Sequence, residues 1–397
     1  MRVLFCTTGG LGHLLPLRPL AAALRRRGNA VAWVTAPDAL ASLEGLGFDL
    51  MAAGSSFEVS RRQFRVAHAD GQQLVGEPLS AYTFPRLFGA VLAPAMVDGV
   101  EQAVRRWRPD FVVHEPAALA APLVCRQLGL RNITQGYGLR PPSQYLEEAM
   151  TFFGTHWQAR GLEVPADGGL YRNLYLDITP RRLQPTIQTS EDDVLRFNPY
   201  RAGDSNTRPL PDDIRTVLQL SATRGPRIYV TFGTVFNRSP ALLAAARAAA
   251  RLGGAVIVTV GANGDPEPFT TLGGHVRVHR FVDQTALLPQ CDLVVSHGGA
   301  GTLLGAAAHG VAQLILPQAA DHFRNARALS SANAGRALES AHQSTEDVMA
   351  TMADVLNSGA FTAAAGVLAT EMSAMPQPFI AACRLERWWN SASSWAG

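Results

Sequence analysis

Lysine is missing altogether: all 35 basic side chains are arginine, and against 32 acidic residues they leave a formal net charge of +3. So small a surplus, with no basic tract, furnishes no footprint for a phosphate backbone, and nucleic-acid binding is excluded as a function class. Cysteine is nearly as scarce. Cys6, Cys125, Cys291 and Cys383 stand far apart with no CxxC spacing, which argues against a disulfide framework and against a structural zinc site, and suits buried thiols in a reducing compartment. No run of about 18 uninterrupted apolar residues occurs, so no membrane helix is expected. The N-terminus passes from Val3-Leu4-Phe5-Cys6 straight into glycines without the apolar region of a signal peptide, and the chain is expected in the cytoplasm. An Asp-x-Asp motif is also lacking, and no metal ligands are assigned. What is present is the composition of a globular protein: 397 residues, 47% hydrophobic and 17% charged, enough for two domains with sizeable cores.

Short apolar runs alternate with helical stretches, as in βαβ units. The first strand is read at Arg2 to Thr7, a helix from about Leu14 to Arg27, and a second strand at Ala30 to Thr35; Gly28-Asn29 is the expected stop of that helix. Strands follow at Asp110 to His114 and Arg131 to Thr134. From about Arg140 to Arg227 the alternation breaks among prolines, glycines and aromatics, and its later part reads as a linker. Alternation resumes with strands at Arg227 to Phe232, Ala255 to Val260, His275 to His279, Asp292 to Ser296 and Ala312 to Leu316. Their nearly continuous apolar character fits parallel sheets covered on both faces. The fold class is α/β, with two Rossmann-like domains.

The first strand ends in Thr7-Thr-Gly-Gly-Leu-Gly-His13 and opens into a helix, where doubly wound sheets place ligands. A dinucleotide site is disfavoured: Gly10 and Gly12 supply two glycines of G-x-G-x-x-G, but the third position is Leu15, and no clear ribose-binding acid ends the second strand. His13 would instead project into the crevice. Glu115, after the strand ending at His114, could accept a ring N–H from it and fix the tautomer of a general base, or could cap the following helix. In the second half a strand runs into His297-Gly-Gly-Ala-Gly-Thr302 and a helix, leaving backbone N–H groups free for a diphosphate. This is not a P-loop, since the lysine is missing. Thr234 could add a hydroxyl beside the same anion, and Pro317 to Asn325 gathers polar groups suited to sugar hydroxyls or to an ordinary capped loop.

Gly12-His13 with Pro16-Leu17, Phe281-Val-Asp-Gln284 before Leu287-Leu288, Ser296 to Thr302, and Pro317 to Asn325 together resemble the bacterial natural-product glycosyltransferases of the GT-B fold. That family attaches deoxysugars to polyketide, enediyne and similar antibiotics. The resemblance spans nearly the whole chain and is weak at residues 55–92 and 140–208, where the family builds its acceptor pocket. It implies two facing Rossmann-like domains and a C-terminal helix that crosses back to the first, with Trp388, Trp389 and Trp395 on it. The division read from the sequence is 1–208 for the acceptor-binding domain, 209–226 for a linker, 227–375 for the nucleotide-sugar domain and 376–397 for the last helix.

By the same resemblance, His13 deprotonates the acceptor, and Glu115 orients it in place of the usual Asp. Phe281, Val282 and Gln284 match the nucleotide-base and ribose site, with Phe281 replacing a Trp; His297 and the backbone of Gly299, Ala300, Gly301 and Thr302 match the diphosphate loop. Asp321 and His322 stand where the family has Asp-Gln against sugar hydroxyls, so His322 is a departure. The implied enzyme is an inverting transferase with no cofactor and no metal, which uses a dTDP- or UDP-sugar as co-substrate and an apolar acceptor; a homodimer is compatible with the sequence. Two rivals are a nucleotide-sugar epimerase and a silent homologue that binds a nucleotide sugar. Aromatics such as Phe57, Phe64, Tyr82, Phe84, Phe88 and Tyr137 exceed what a small-sugar site needs, and an intact His13 and diphosphate loop speak against the silent homologue.

Overall fold

A computed structural model describes residues 1–184, 193–200, 208–221, 225–233 and 235–393. The chain divides into two compact units: the first takes residues 1–179, 193–199 and the C-terminal stretch from 376, and the second takes 180–184 and the described residues between 200 and 375.

The first unit is built on seven parallel strands, β1 (Arg2–Cys6), β2 (Ala30–Thr35), β3 (Asp49–Ala52), β4 (Phe111–His114), β5 (Arg131–Gln135), β6 (Tyr175–Asp177) and β7 (Val194–Arg196), in the order β3-β2-β1-β4-β5-β6-β7. β1 and β4 are buried along nearly their whole length, as the run of apolar residues with no alternation demands. The strand order reverses between β1 and β4, and the loops leaving their C-terminal ends lie where sheets of this kind place a ligand. The helix expected over Leu14 to Arg27 is broken into three pieces, Leu11–Leu14, a 3-10 turn Leu15–Leu17 and Arg18–Arg26, because Pro16 and Pro19 each open a new segment. Gly28, at φ 84°, ends the last piece as the sequence suggests.

The second unit carries β8 (Arg227–Thr231), β9 (Ala255–Thr259), β10 (Val276–His279), β11 (Leu293–Ser296), β12 (Ala312–Ile315) and β13 (Gly335–Ala337), all parallel, in the order β10-β9-β8-β11-β12-β13. Its reversal lies between β8 and β11.

The region expected to break the alternation holds more structure than its prolines suggest. A 16-residue helix, Ser143–Gln158, buries Phe153 and Trp157, and two three-residue strands, β6 and β7, extend the first sheet. Residues 209–226, read as a linker, contain the helix Asp212–Ser221; Ile214, Val217 and Leu218 repeat at helical spacing and pack into a core of the second unit with Tyr229 and Val282. The run Gly76–Trp107 is long and apolar enough to cross a membrane, with 56% of its apolar window buried; Phe84, Leu92, Met96, Val100 and Val104 belong to the core of the first unit, which accounts for that composition.

The last helix, Pro378–Ser393, packs on the first unit, as the fold class requires. Glu386 accepts from Arg27 and, at 2.7 Å, from Asn29 Nδ2, and the rings of Trp388 and Trp389 lie 6.5 and 5.1 Å from Phe111. Trp395 lies outside the described residues. Leu385 on this helix is fully buried, so Leu385→Ala should destabilise the first unit by about 2–5 kcal/mol through lost contacts and a cavity. Calorimetry should show a lowered transition, and an unchanged one would mean that the helix is not part of the cooperative unit.

Candidate active site

At the C-terminal end of β1 the chain turns through Thr7, Thr8 and Gly9 into the short helix Leu11–Leu14, which bears His13. Glycine is required at position 9, where a Cβ would lie 2.8 Å from that of Ala36 and 2.9 Å from that of Phe57. Glu115 follows β4, next to β1 in the sheet, so two strands paired in register bring residues a hundred positions apart into one site. His13 Nδ1 stands 3.3 Å from Glu115 Oε2. The approach falls outside aligned hydrogen-bond geometry; it is a charge-to-ring contact, and contacts of this kind tighten when substrate binds. The imidazole also meets the rings of Tyr137, 4.4 Å away, and Phe88, 5.3 Å away.

Glu115 is fully buried, while the His13 side chain keeps 17% of its exposure. Burial pushes the carboxyl pKa up, but the neighbouring His13 and the N–H groups of Ala117 and Thr8 outweigh it and hold the group below the ordinary carboxylate range. Oε1 accepts from Thr8 N–H at 3.1 Å and from the Thr8 hydroxyl at 2.9 Å, and Oε2 accepts from Ala117 N–H at 2.5 Å. The carboxylate is therefore anionic and fixed. Beside it His114 is neutral: Asn132 Nδ2 donates to its Nε2 at 3.0 Å, leaving Nδ1–H to donate to the Glu115 carbonyl at 3.1 Å.

In the second unit, β11 ends at Ser296 and the loop His297-Gly298-Gly299 leads into the helix Ala300–Ala308. Gly298 has φ +89°, and a Cβ on it would strike Ile315 at 2.6 Å. Gly299 makes no side-chain cap, so the first N–H groups of this nine-residue helix have no acceptor within it. Two side chains tie neighbouring loops to this one. Gln284 Nε2 donates to the Tyr229 hydroxyl at 3.2 Å and to Thr302 Oγ1 at 3.4 Å, and Asn325 Nδ2 donates to the Gly298 carbonyl and to Asp321 Oδ2, both at 2.7 Å. Ala320 is held at φ 53°, a left-handed conformation that disfavours side chains, immediately before Asp321.

His13 and Glu115 thus come together in the first unit, and Gln284, His297, Gly299, Ala300, Gly301, Thr302, Asp321 and His322 lie around one sheet reversal in the second. Phe281 is 69% exposed, an open aromatic face beside Gln284. The Val282 side chain is buried in the core against Leu287 and Leu288. His322 is 3% exposed and its Nδ1 accepts from the Gln318 and Ala319 N–H groups at 3.3 and 3.1 Å, so one of its two nitrogens organises the loop. Thr234 lies outside the described residues. The sequence assigned no role to Thr8 or Tyr229 and took in Asn325 only as the end of the polar segment Pro317 to Asn325; Thr8 sits in the glycine turn and Asn325 four residues after Asp321, spacings that carry a signal only once the partner is known. Among the described residues no group of three or more His, Cys, Asp or Glu could hold a metal ion.

The two halves of the chain match the two parts of a family described as erythromycin biosynthesis protein CIII-like, the N-terminal domain over residues 23–190 and the C-terminal domain over residues 243–387. The chain is 31% identical to the elloramycin glycosyltransferase ElmGT of Streptomyces olivaceus, with 97% of each chain covered. It is 28% identical to the L-demethylnoviosyl transferase of Streptomyces niveus, over 96% of this chain and 97% of the relative. Its fold is similar to that of the spinosyn rhamnosyltransferase SpnG complexed with thymidine diphosphate, with a TM-score of 0.78 at 26% identity over 97% of this chain and 100% of that one.

His297 and His322 form a neutral pair, their rings 4.5 Å apart and nearly perpendicular. Burial lowers the pKa of each to about 3, with His322 adding to the effect on His297, and burial lowers that of His114 to about 4. In the unfolded chain histidines titrate near 6.5. As pH falls from about 6.5 toward 3, the unfolded chain takes up protons that the fold refuses, and stability drops across that window. His322→Gln should make the fall in melting temperature between pH 7 and pH 5 shallower; an identical slope would show that His322 is not buried and neutral.

Proposed function

Since the chain belongs to the erythromycin biosynthesis protein CIII-like family of antibiotic glycosyltransferases, we propose that it transfers a deoxysugar from a nucleoside-diphosphate sugar to a hydroxyl of an apolar natural-product acceptor, with inversion. The observation that carries the catalytic reading is the contact between His13 and the buried, anionic Glu115. Nδ1 faces the carboxylate, so a ring proton there leaves Nε2 with a free lone pair for the acceptor hydroxyl. Nε2 takes the proton as the acceptor oxygen forms its bond to the anomeric carbon. The bond from that carbon to the diphosphate oxygen breaks in the same step, and the electron pair leaves with the diphosphate. One displacement inverts the centre, and Glu115 stabilises the imidazolium that forms.

The leaving group is assigned to the N-terminus of the helix Ala300–Ala308, where uncapped N–H groups and the helix dipole favour an anion. Gln284, hydrogen-bonded to Thr302, would place the ribose beside the diphosphate, and the exposed ring of Phe281 offers a face for the base. The thymidine diphosphate held by SpnG supports a dTDP-sugar as donor. Phe88 and Tyr137 around His13 support an acceptor with an apolar surface. No divalent ion is needed in this scheme, and no cofactor beyond the nucleotide sugar.

His13→Ala should lower turnover by roughly two to four orders of magnitude while thymidine diphosphate binding, followed by calorimetry, stays unchanged. Glu115→Gln should cost less, since the ring keeps an acceptor but the imidazolium loses its counter-charge. Near-normal turnover by His13→Ala with saturating donor and a hydroxyl acceptor would sink the assignment. Thr302→Ala should weaken nucleotide binding instead, and EDTA should leave the rate unchanged; a loss restored by magnesium or manganese would overturn the account of the leaving group.

A further inference from the structure

The helical run from Gly76 to Trp107 changes character midway: Pro85–Leu92 is a π-helix of eight residues between the α-helices Gly76–Phe84 and Ala93–Trp107. Such wide turns are rare, appear mostly as single-turn bulges, and occur often at functional sites. A local cause is in the sequence, since Pro85 has no N–H to donate and its ring crowds the carbonyl four residues back. A tertiary cause lies at Gly89. A Cβ there would stand 2.7 Å from the Ala149 carbonyl oxygen and 2.9 Å from its Cα, so the π-helix seats directly on the backbone of the helix Ser143–Gln158.

The residue beside that contact is Phe88, which is nearly buried, and its ring meets the His13 imidazole at 5.3 Å with a 42° tilt. Phe84 supports it from the preceding turn at 5.0 Å. The imidazole needs such support. His13 sits on a four-residue helix whose Gly10 cap makes no side-chain hydrogen bond, and its approach to Glu115 is not an aligned hydrogen bond. Neither its own helix nor the carboxylate alone fixes the orientation of the ring.

We propose that the π-helix Pro85–Leu92 is a positioning element for the base, and that Phe88 is its positioning residue, pressed against His13 so that Nδ1 stays toward Glu115 and Nε2 toward the acceptor. The proposal rests on the reading of His13 as the base. An α-helix over the same residues would have a different register, and the seat of Gly89 on Ala149 would no longer set the height of Phe88 over the imidazole. Phe88 acts through His13 and performs no step of its own.

Kinetics of variants test it. Phe88→Leu should lower kcat roughly tenfold at saturating donor and acceptor, as a small misplacement of a reacting group does, with the KM for donor unchanged. Phe88→Tyr, which keeps the ring, should restore the rate. Gly89→Ala, which lifts the π-helix off its seat, should reproduce the loss. In a His13→Ala background Phe88→Leu should cost nothing further, because there is no longer a ring to hold. An unchanged kcat in Phe88→Leu, a change in acceptor KM alone, or the same loss in the His13→Ala background would overturn the proposal while leaving His13 as the base. Turnover retained by His13→Ala alone would remove the underlying reading instead. If Phe88→Leu fails to fold, cross-relaxation in the wild-type enzyme between the Phe88 ring protons and the carbon-bound imidazole protons of His13 decides: its presence supports the contact, and its absence overturns it.

Discussion

A fully buried carboxylate cannot stay charged without partners, and Glu115 stays charged because three N–H and O–H donors and one imidazole converge on it. Those partners come from the ends of two adjacent strands: Thr8 follows β1, and Ala117 follows β4. The carboxylate thereby stitches the two loops at the point where the strand order reverses. The glycine turn and the short helix take their places relative to this one charge, while the ring of His13 also leans on Tyr137 and Phe88. Its cost in desolvation is met only while every donor is in place, which makes the site rigid on the side of the proposed base and leaves the imidazole as its most exposed member.

The second unit is held differently. Around the proposed diphosphate site the loops are tied by the amides of Gln284 and Asn325, the latter also donating to the Asp321 carboxylate, and by imidazoles that burial keeps uncharged. Positive potential comes from the helix terminus at Ala300, which needs no ionised side chain and no counter-ion. Ala320, held at a positive φ beside Asp321, shows where the backbone carries strain to shape the same site.

Much of this was legible in the sequence, for reasons that differ from part to part. Strands buried on both faces announce themselves by unbroken apolar runs, and Leu293-Val-Val-Ser296 is as plain as Ala255-Val-Ile-Val-Thr259. The strands β6 and β7 have three residues each and no pattern long enough to read. The helix Asp212–Ser221 does show apolar positions at 214, 217 and 218, but Pro209 and Pro211 just before it favour a linker reading, and only the core it enters resolves the matter. His13 and Glu115 could be paired because each follows a strand end, and strand ends in such a sheet converge. Phe88, Asn325 and the buried nitrogen of His322 could not, because their roles depend on which backbone group or ring lies opposite. The change from α- to π-helix leaves no periodic trace: Pro85 marks a break in the helix, but the close seat of Gly89 on another helix belongs to the fold and not to the sequence pattern.

The placement of the last helix has a consequence for inheritance. The residues gathered around His13 lie between positions 8 and 137 and those around the diphosphate loop between 229 and 325, so each set could travel as a contiguous stretch of gene. The helix Pro378–Ser393, however, is encoded after the second unit and packs on the first, with Glu386 holding Arg27 and Asn29. A single recombination point near residue 200 would join a first unit to a foreign closing helix. Exchange of second units between relatives would therefore call for a cassette with two crossovers, the second near residue 375, so that the first unit keeps the helix that packs on it.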